Sequence, residues 1–294
     1  MNPAARARLC VLAATALFST GGAAVKLCTL SPWHVVSLRC ALGGLLLLAI
    51  MRPAWRDFDR RAWLPGAALG ATLILFVFSS RLTTAANAIL LQSTAPLWVL
   101  LLSPWLLGEH SRARDWAVMA AMAVGLIMVC AGGQSAQASA PQPLRGNLIA
   151  IVAGLTWGLT AMGLRRAGRA GGGVQSAVVI AGNLVAVAVS LPMAFPFGHV
   201  RATDWAVVGF LGVFQIAAPY LFLFVGLQRL TALEAVLLML LEPVLSSLWA
   251  ALIHGEQPGW WTVAGGALIL AATVWNATRP AVAATPPALA ASRR

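Results

Sequence analysis

The sequence predicts an all-α membrane protein in which ten transmembrane helices form two inverted five-helix repeats around a central cavity. Three observations lead to this prediction: the apolar composition, the placement of the basic residues and an internal repeat. Apolar residues make up 60% of the 294 positions and charged residues 10%, whereas a soluble domain carries about 25% charged residues. The chain lacks the polar surface of a soluble protein, so we expect the bilayer to be its solvent.

The apolar runs indicate helices and give their order along the chain. Each run is long enough to cross the hydrocarbon core, which takes about 20 residues, and none alternates as a barrel strand does. The predicted spans cover residues 8–26, 33–51, 62–80, 85–107, 115–132, 147–164, 174–194, 204–226, 231–253 and 260–278. The first span follows Arg6 and Arg8 as a signal peptide would, but its pattern matches the sixth span, which favours a permanent helix.

The basic residues lie at the edges of these runs and predict the orientation of the chain. With a cytoplasmic N-terminus, the cytoplasmic segments hold 15 of the 20 Lys and Arg residues, and Arg39 lies inside the second span. The periplasmic segments hold Lys26, Arg81, Arg145 and Arg201. This positive-inside bias predicts a multi-pass protein of the bacterial inner membrane with both termini in the cytoplasm. Scattered basic residues also argue against a nucleic-acid partner, which requires a continuous basic face.

An internal repeat divides the chain into two related halves. The segment RLTTAANAILLQSTAPLWVLLLSPWLLGE, from Arg81, recurs from Arg229 as RLTALEAVLLMLLEPVLSSLWAALIHGE. The aligned pairs are Pro96 with Pro243, Glu109 with Glu256, Lys26 with Arg165 and Phe18 with Trp157. Because each half has five spans, an odd number, the two halves are expected to insert with opposite orientation.

The repeat also predicts the domain organisation. The first repeat covers residues 1–131, a periplasmic linker 132–146, the second repeat 147–279 and a cytoplasmic tail 280–294. The linker is rich in Gly, Ser, Pro and Gln, which is typical of a flexible, solvated connector. Inverted repeats are typical of transporters, whose substrate sites lie near the midplane between the repeats. Pro96 and Pro243 fall near the middle of their spans, where a proline frees a backbone carbonyl; each is interpreted as a structural kink or a gating position.

These motifs resemble those of the EamA-type ten-helix exporters of the drug/metabolite transporter superfamily, and the resemblance covers nearly the whole chain. The motifs are Ser37-Leu38-Arg39-Cys40, Ala95-Pro96-Leu97 leading to Gly108-Glu109, Thr156-Trp157-Gly158, and Glu242-Pro243-Val244 leading to Gly255-Glu256. Phe18 departs from the Trp that the family often has at that position. The resemblance implies a ten-helix carrier with a central cavity that exports amino acids, their derivatives or other metabolites.

Two charged residues inside the spans require an explanation, since a charge at the bilayer centre costs about 2.5–3.5 kcal/mol on insertion scales. Glu242 lies midway along the ninth span, and its repeat partner is the uncharged Ala95. It is predicted either to bind a substrate ammonium or a proton, or to tie spans together around Pro243. Arg39 is predicted either to form a structural salt bridge or carbonyl clamp, with a gating role, or to recognise an anion or carboxylate.

Neutral polar and aromatic side chains inside the spans are further candidates for substrate binding. They are Trp157, Gln92, Trp98, Gln215, Tyr220, Asn87 and Ser93. Gln92 precedes Pro96 by one helical turn, and Gln215 and Pro219 repeat this arrangement. The alternative for the polar members is interhelical hydrogen bonding, worth about 0.6 kcal/mol each. The cavity is expected between spans 1, 3, 4, 6, 8 and 9.

Residues near the span ends receive structural interpretations. Glu234 completes a capping box that begins at Thr231, and Glu109 and Glu256 follow glycines at span ends. Lys26 and Arg81 are expected to snorkel towards the interface or to line an outer vestibule. The cysteines (Cys10, Cys28, Cys40 and Cys130) are interpreted as apolar packing residues, and no metal or other cofactor is predicted.

We therefore expect a secondary transporter that exports amino acids or related zwitterions by alternating access. A multidrug or lipophilic-amine exporter of the same fold is the alternative. From different classes, an intramembrane enzyme would need a nucleophile with a base, or a metal cluster, and a channel would need continuous polar stripes. The expected partners are a small-molecule substrate and the lipid bilayer around a monomer. Proton antiport and facilitated diffusion are both left open.

Overall fold

The computed structural model describes residues 3–53, 55–106, 113–132, 138–168, 172–198, 200–230 and 232–277. Most of them are helical. The helices are α1 (Pro3–Ser19), α2 (Gly21–Leu27), α3 (Pro32–Met51), α4 (Arg60–Leu82), α5 (Ala85–Gln92), α6 (Ala95–Leu106), α7 (Ala113–Ala131), α8 (Pro143–Gly168), α9 (Gly172–Ala194), α10 (Ala202–Phe210), α11 (Ala218–Leu227), α12 (Ala232–Met239), α13 (Leu241–His254) and α14 (Trp260–Ala277). A π-helical segment, Leu211–Ala217, joins α10 to α11.

Eight helical stretches of the described chain are long and apolar enough to cross a membrane. They are Ala5–Leu27, Pro32–Met51, Arg60–Leu82, Ala85–Leu106, Ala113–Ala131, Pro143–Ala167, Gly173–Ala194 and Ala202–Leu227. They coincide with the first eight predicted spans, and α12 to α14 follow where the last two are predicted. The prediction of an all-α, multi-pass membrane protein is confirmed.

Several of the predicted spans are not continuous helices. The first is interrupted at Thr20 between α1 and α2, the fourth at Ser93 and Thr94, and the ninth at Leu240. The prolines predicted to kink the helices from within, Pro96 and Pro243, instead lie in the first turns of α6 and α13. The first-turn N–H groups of a helix have no intrahelical partner, so a proline there loses no hydrogen bond.

The described part of the predicted linker packs against the bundle. The N–H of Gln142 donates to the carbonyl of Leu82 (3.0 Å), and Ala140 is fully buried. Helix α8 begins at Pro143, a residue suited to a first helical turn, within the last residues of the predicted linker. Residues 133–137 and the predicted tail, 280–294, lie outside the described residues.

Helices α7 and α14 approach closely through a pair of glycines. A Cβ added at Gly265 would lie 2.6 Å from the carbonyl oxygen of Gly125, and one added at Gly125 would lie 2.8 Å from the oxygen of Gly265. Small residues allow this approach in membranes, where packing rather than the hydrophobic effect holds helices together.

Gly265→Ala is therefore expected to force α7 and α14 apart, at a cost of about 1–3 kcal/mol for overpacking. Thermal unfolding of the purified protein in detergent measures the effect. Gly259→Ala is the matched control, because a Cβ at Gly259 would meet nothing within 4 Å. An equal melting temperature for both variants would contradict the close-packing account.

Candidate functional site

A cavity of about 90 Å³ lies between the helices, in the interior of the bundle. Side chains from α1, α3, α4, α5, α8, α11, α12, α13 and the π-helical segment line it. Its polar lining consists of Arg39, Thr72, Gln92, Gln215, Tyr220 and Glu242, and aromatic walls come from Phe18, Phe76 and Trp157. The predicted spans 1, 3, 4, 6, 8 and 9 all contribute, together with the second span through Arg39.

The irregular points of the helices converge on this cavity. Gln92 is the last residue of α5, Met239 is the last residue of α12, and Glu242 lies in the first turn of α13. Gln215 lies in the π-helical segment, four residues before Pro219. The proline ring clashes with the carbonyl four residues earlier, which accounts for the wider turn. Such segments and broken membrane helices frequently mark functional sites.

Arg39 lies deep inside the bundle and is completely buried. Its Nη1 donates to Oε1 of Gln215 (2.9 Å) and its Nη2 to the carbonyl of Leu73 (2.9 Å). The guanidinium also stands over the ring of Phe76, 5.8 Å from the centroid. Nε has no hydrogen-bond partner among the described residues. The carbonyl clamp predicted for Arg39 is present, and part of its donor capacity is unused.

Glu242 is half-buried at the cavity. Within the part of the chain that the structure describes, its carboxylate takes part in no ion pair, and no group donates a hydrogen bond to it. The buried Oε1 of Gln92 also lacks a partner among these residues. The ring of Tyr220 stands edge-on to Phe18, at 5.3 Å between centroids. The cavity thus combines aromatic walls with polar groups that are free to bind a ligand.

The structure does not bring every predicted site residue to the cavity. Glu242, Trp157, Gln92, Gln215, Tyr220 and Arg39 line it. Ser93 instead donates to the carbonyl of Ile89 (2.8 Å), and Trp98 packs beside Gly158. Asn87 accepts a hydrogen bond from Thr262 (3.0 Å), near the end of the bundle where α2 finishes.

Residues on α4 were missed by the sequence prediction. Thr72 and Phe76 both line the cavity, and Thr72 forms a hydrogen bond with Thr156 on α8 (2.8 Å). They are four residues apart and therefore share one helical face. The sequence contains that spacing. In an apolar span, however, the spacing does not distinguish a helix face that lines a cavity from one that packs against another helix.

A buried ion pair closes one end of the bundle. Lys26, at the end of α2, pairs with Glu256, which follows α13, and their side chains are 5% and 2% exposed. Nζ of Lys26 also donates to the carbonyls of Thr83 (2.9 Å) and Ser139 (2.6 Å). The N–H of Ala85 donates to Oε2 of Glu256 (2.9 Å). Lys26 therefore does not snorkel. Together with Glu256 it joins four parts of the chain at what we call the Lys26 end: the end of α2, the connection between α4 and α5, the segment before α8 and the segment after α13.

Arg81 lies at the same end and also binds backbone rather than reaching outward. Its Nη2 donates to the carbonyls of Cys28 (2.5 Å) and Leu30 (2.9 Å), in the connection between α2 and α3. Beside it, the carboxylate of Asp204 accepts hydrogen bonds from the N–H and the hydroxyl of Thr29, both at 2.7 Å.

The opposite end carries a more exposed ion pair. Arg8 of α1 pairs with Glu234 of α12 at 2.7 Å, and the side chains are 56% and 35% exposed. Glu234 therefore contacts a neighbouring helix, whereas Thr231 of the predicted capping box lies outside the described residues, as does Glu109. Among the described His, Cys, Asp and Glu residues, no three lie close enough together to hold a metal ion.

Comparison with known proteins identifies the family. The model of the EamA-like transporter family matches residues 6–131 and 144–278. The chain is 31% identical over 236 residues to the threonine/homoserine exporter RhtA of Salmonella typhimurium, covering 76% of this chain and 74% of the relative. RhtA of Escherichia coli K12 is 30% identical over 232 residues, with the same coverage. An uncharacterized protein of Pseudomonas aeruginosa is 31% identical over 273 residues, or 87% of this chain and 90% of the relative.

A solved crystal structure has the same overall fold. It superposes with a TM-score of 0.63 at 24% sequence identity, covering 93% of this chain and all but 1% of the other. The fold therefore extends over almost the full length of both chains. The chain belongs to the EamA-like transporter family, and it is a transporter rather than an enzyme.

Proposed function

We propose that the protein exports amino acids or related zwitterions from the cytoplasm, and that Glu242 binds the substrate ammonium. The observation that carries the proposal is the carboxylate of Glu242, which has no partner among the described residues. It lies at a cavity where two broken helices and a π-helical segment meet. A carboxylate without a counter-ion in the membrane interior carries a high free-energy cost, and binding of a cation offsets that cost. The names of the related threonine/homoserine exporters support the same substrate class.

We further propose ten spans arranged as two inverted repeats. The contacts between helices support this arrangement. When each helix is replaced by its counterpart in the other repeat, one observed contact becomes another observed contact. The contact between α4 and α8 has its counterpart between α11 and α1, and that between α4 and α9 has its counterpart between the π-helical segment and α3. Helices α7 and α14, which are counterparts of each other, meet through the reciprocal contact of Gly125 and Gly265. A pseudo-twofold axis in the membrane plane accounts for all three observations.

In this proposal the Lys26 end is periplasmic. Lys26 and Arg81 lie at this end. Arg145, in the first turn of α8, and Arg201, directly before α10, lie where helices begin there. These are the four basic residues assigned to the periplasmic segments, whereas the opposite end carries most of the arginines. The positive-inside rule then places both termini in the cytoplasm.

Alternating access follows from the same symmetry. The buried pair of Lys26 and Glu256 closes the periplasmic end, and their repeat counterparts are Arg165 and Glu109. We propose that opening of the periplasmic end separates Lys26 from Glu256 and exposes the cavity to the periplasm, while the two halves exchange conformations.

Overexpression in a bacterial host tests the proposed function. Cells that produce the protein are expected to tolerate toxic concentrations of homoserine or a toxic threonine analogue better than cells with an empty vector or the Glu242→Gln variant. They are also expected to release more of the amino acid into the medium. Resistance to lipophilic cations without any effect on amino acids would instead support the alternative, an amine exporter, for which the aromatic walls of Phe18 and Trp157 are suitable. That result would contradict the amino-acid proposal.

A further inference from the structure

Arg39 is a buried cation without an anionic partner in the part of the chain that the structure describes. A guanidinium has five N–H donors, and the hydrogen bonds to Gln215 and Leu73 use two of them. Nε has no partner, and no described carboxylate lies within ion-pair distance of the side chain. A buried charge is normally paired, so the site lacks an anion.

The two hydrogen bonds of Arg39 fix its position and leave its charge uncompensated. Gln215 is itself held in place, because its amide fills the space next to Gly21, where a Cβ would lie 2.8 Å from Nε2. Both acceptors, an amide oxygen and a backbone carbonyl, are neutral. The arrangement therefore presents a rigidly oriented guanidinium to the cavity, and its planar donors match the two oxygens of a carboxylate.

Arg39 and Glu242 line the same cavity, yet they form no ion pair with each other. Two opposite charges in a medium of low dielectric attract strongly, and here both line one cavity without reaching ion-pair distance. A ligand with a negative group at one end and a positive group at the other would compensate both. Neither a simple amine nor a simple carboxylate would do so.

We propose that Arg39 binds the carboxylate of the transported molecule while Glu242 binds its ammonium, so that the cavity selects compounds that carry both groups. This inference rests on the proposed function and narrows its substrate class to zwitterionic amino acids. Arg39 becomes a specificity-determining residue in addition to a carbonyl clamp. Ligands that lack the carboxylate lose the bond to Arg39 and leave a buried cation unpaired.

A competition series on the unmodified protein tests the inference without relying on any variant. Proteoliposomes take up radiolabelled L-threonine in the presence of unlabelled L-threonine, L-threoninol (the carboxylate reduced to an alcohol) or N-acetyl-L-threonine (the ammonium removed). We expect both analogues to compete at least about tenfold more weakly than threonine, as the loss of one charged hydrogen bond implies. Threoninol that competes as well as threonine would overturn the role of Arg39.

Two variants then separate binding from structure. In Arg39→Gln, the advantage of threonine over threoninol is expected to shrink about tenfold or more. N-acetyl-L-threonine, which keeps its carboxylate, is expected to become a weaker competitor relative to threoninol, which has none. The matched control is Arg81→Gln, which removes another arginine that clamps backbone carbonyls but does not line the cavity; its selectivity is expected to stay unchanged. Equal selectivity profiles in the two variants would contradict the proposal.

The outcomes also separate this inference from the proposed function. If no amino acid is transported at all, the proposed function fails and the inference fails with it. If threonine is transported and threoninol competes equally well, the export of amino acids stands and only the carboxylate site at Arg39 is wrong. Weak competition by both threoninol and N-acetyl-L-threonine, with threonine transported, supports the proposed function and the carboxylate site at Arg39.

Discussion

Glu242→Gln is expected to reduce amino-acid export to the level of cells without the protein. The substitution keeps the size of the side chain and removes the charge that is proposed to meet the substrate ammonium. A charged hydrogen bond contributes about 1.5–3 kcal/mol, so the loss in transport efficiency is expected to reach about tenfold to a hundredfold. Export of threonine into the medium, normalised to the amount of protein in the membrane, measures it.

The matched control for Glu242 is Glu234→Gln, on the neighbouring helix α12. Glu234 contributes to the exposed pair with Arg8 and does not line the cavity. Its variant is expected to export threonine at close to the unmodified rate. Equal export by Glu242→Gln and Glu234→Gln would show that the carboxylate in the cavity has no part in binding the substrate.

Lys26→Met is expected to cause the largest loss of stability at a single position. It leaves the carboxylate of Glu256 buried without its partner, and breaking a buried ion pair in this way costs about 3–5 kcal/mol. It also leaves the carbonyls of Thr83 and Ser139 without their donor. The measurement is the thermal unfolding of the purified protein in detergent.

The double variant Lys26→Met with Glu256→Gln removes both charges, so it is expected to be more stable than Lys26→Met alone, since no unpaired charge is left buried. Arg8→Met is the control, because it removes an ion pair whose side chains are far more exposed than those of Lys26 and Glu256. Such pairs contribute about 0–1 kcal/mol. If Lys26→Met and Arg8→Met lowered the melting temperature equally, the Lys26 pair would not be the buried closure described above.

The helical framework was predictable from the sequence because it depends on one-dimensional properties. A run of apolar residues that crosses the bilayer must be helical for its backbone to be satisfied, which is why the first eight spans were located to within a few residues. The ends were less predictable. Helix α8 starts at Pro143, before the predicted boundary, because a segment interpreted as a solvated linker packs onto Leu82 and Lys26.

The charged residues of the candidate site could be predicted from the sequence more reliably than its neutral polar residues. Glu242 and Arg39 stand out in an apolar span because burial of a charge is costly, and both line the cavity. Asn87 and Thr72 are polar residues of the same kind by sequence. Asn87 lies in the hydrogen-bond network near the Lys26 end, and Thr72 lines the cavity. Only the packing of the helices in space distinguishes the two positions.

The partner of Lys26 could not be deduced from sequence either. Lys26 and Glu256 are 230 residues apart, and each lies at a span end where snorkelling or capping is the ordinary expectation. The alignment of the repeats paired Lys26 with Arg165 and Glu256 with Glu109, so the symmetry was visible. That the chain brings these two groups together emerges only from the arrangement of α2, α5 and α13 in space.

Counterflow in proteoliposomes tests the central claim, that the polar cavity carries amino acids across the membrane, most directly. Vesicles loaded with unlabelled L-threonine are placed in a trace of radiolabelled L-threonine or L-homoserine. The unmodified protein is expected to give a transient accumulation of label that protein-free vesicles and the Glu242→Gln variant do not show. An absence of counterflow for every amino acid, or an equal accumulation with Glu242→Gln, would contradict the claim.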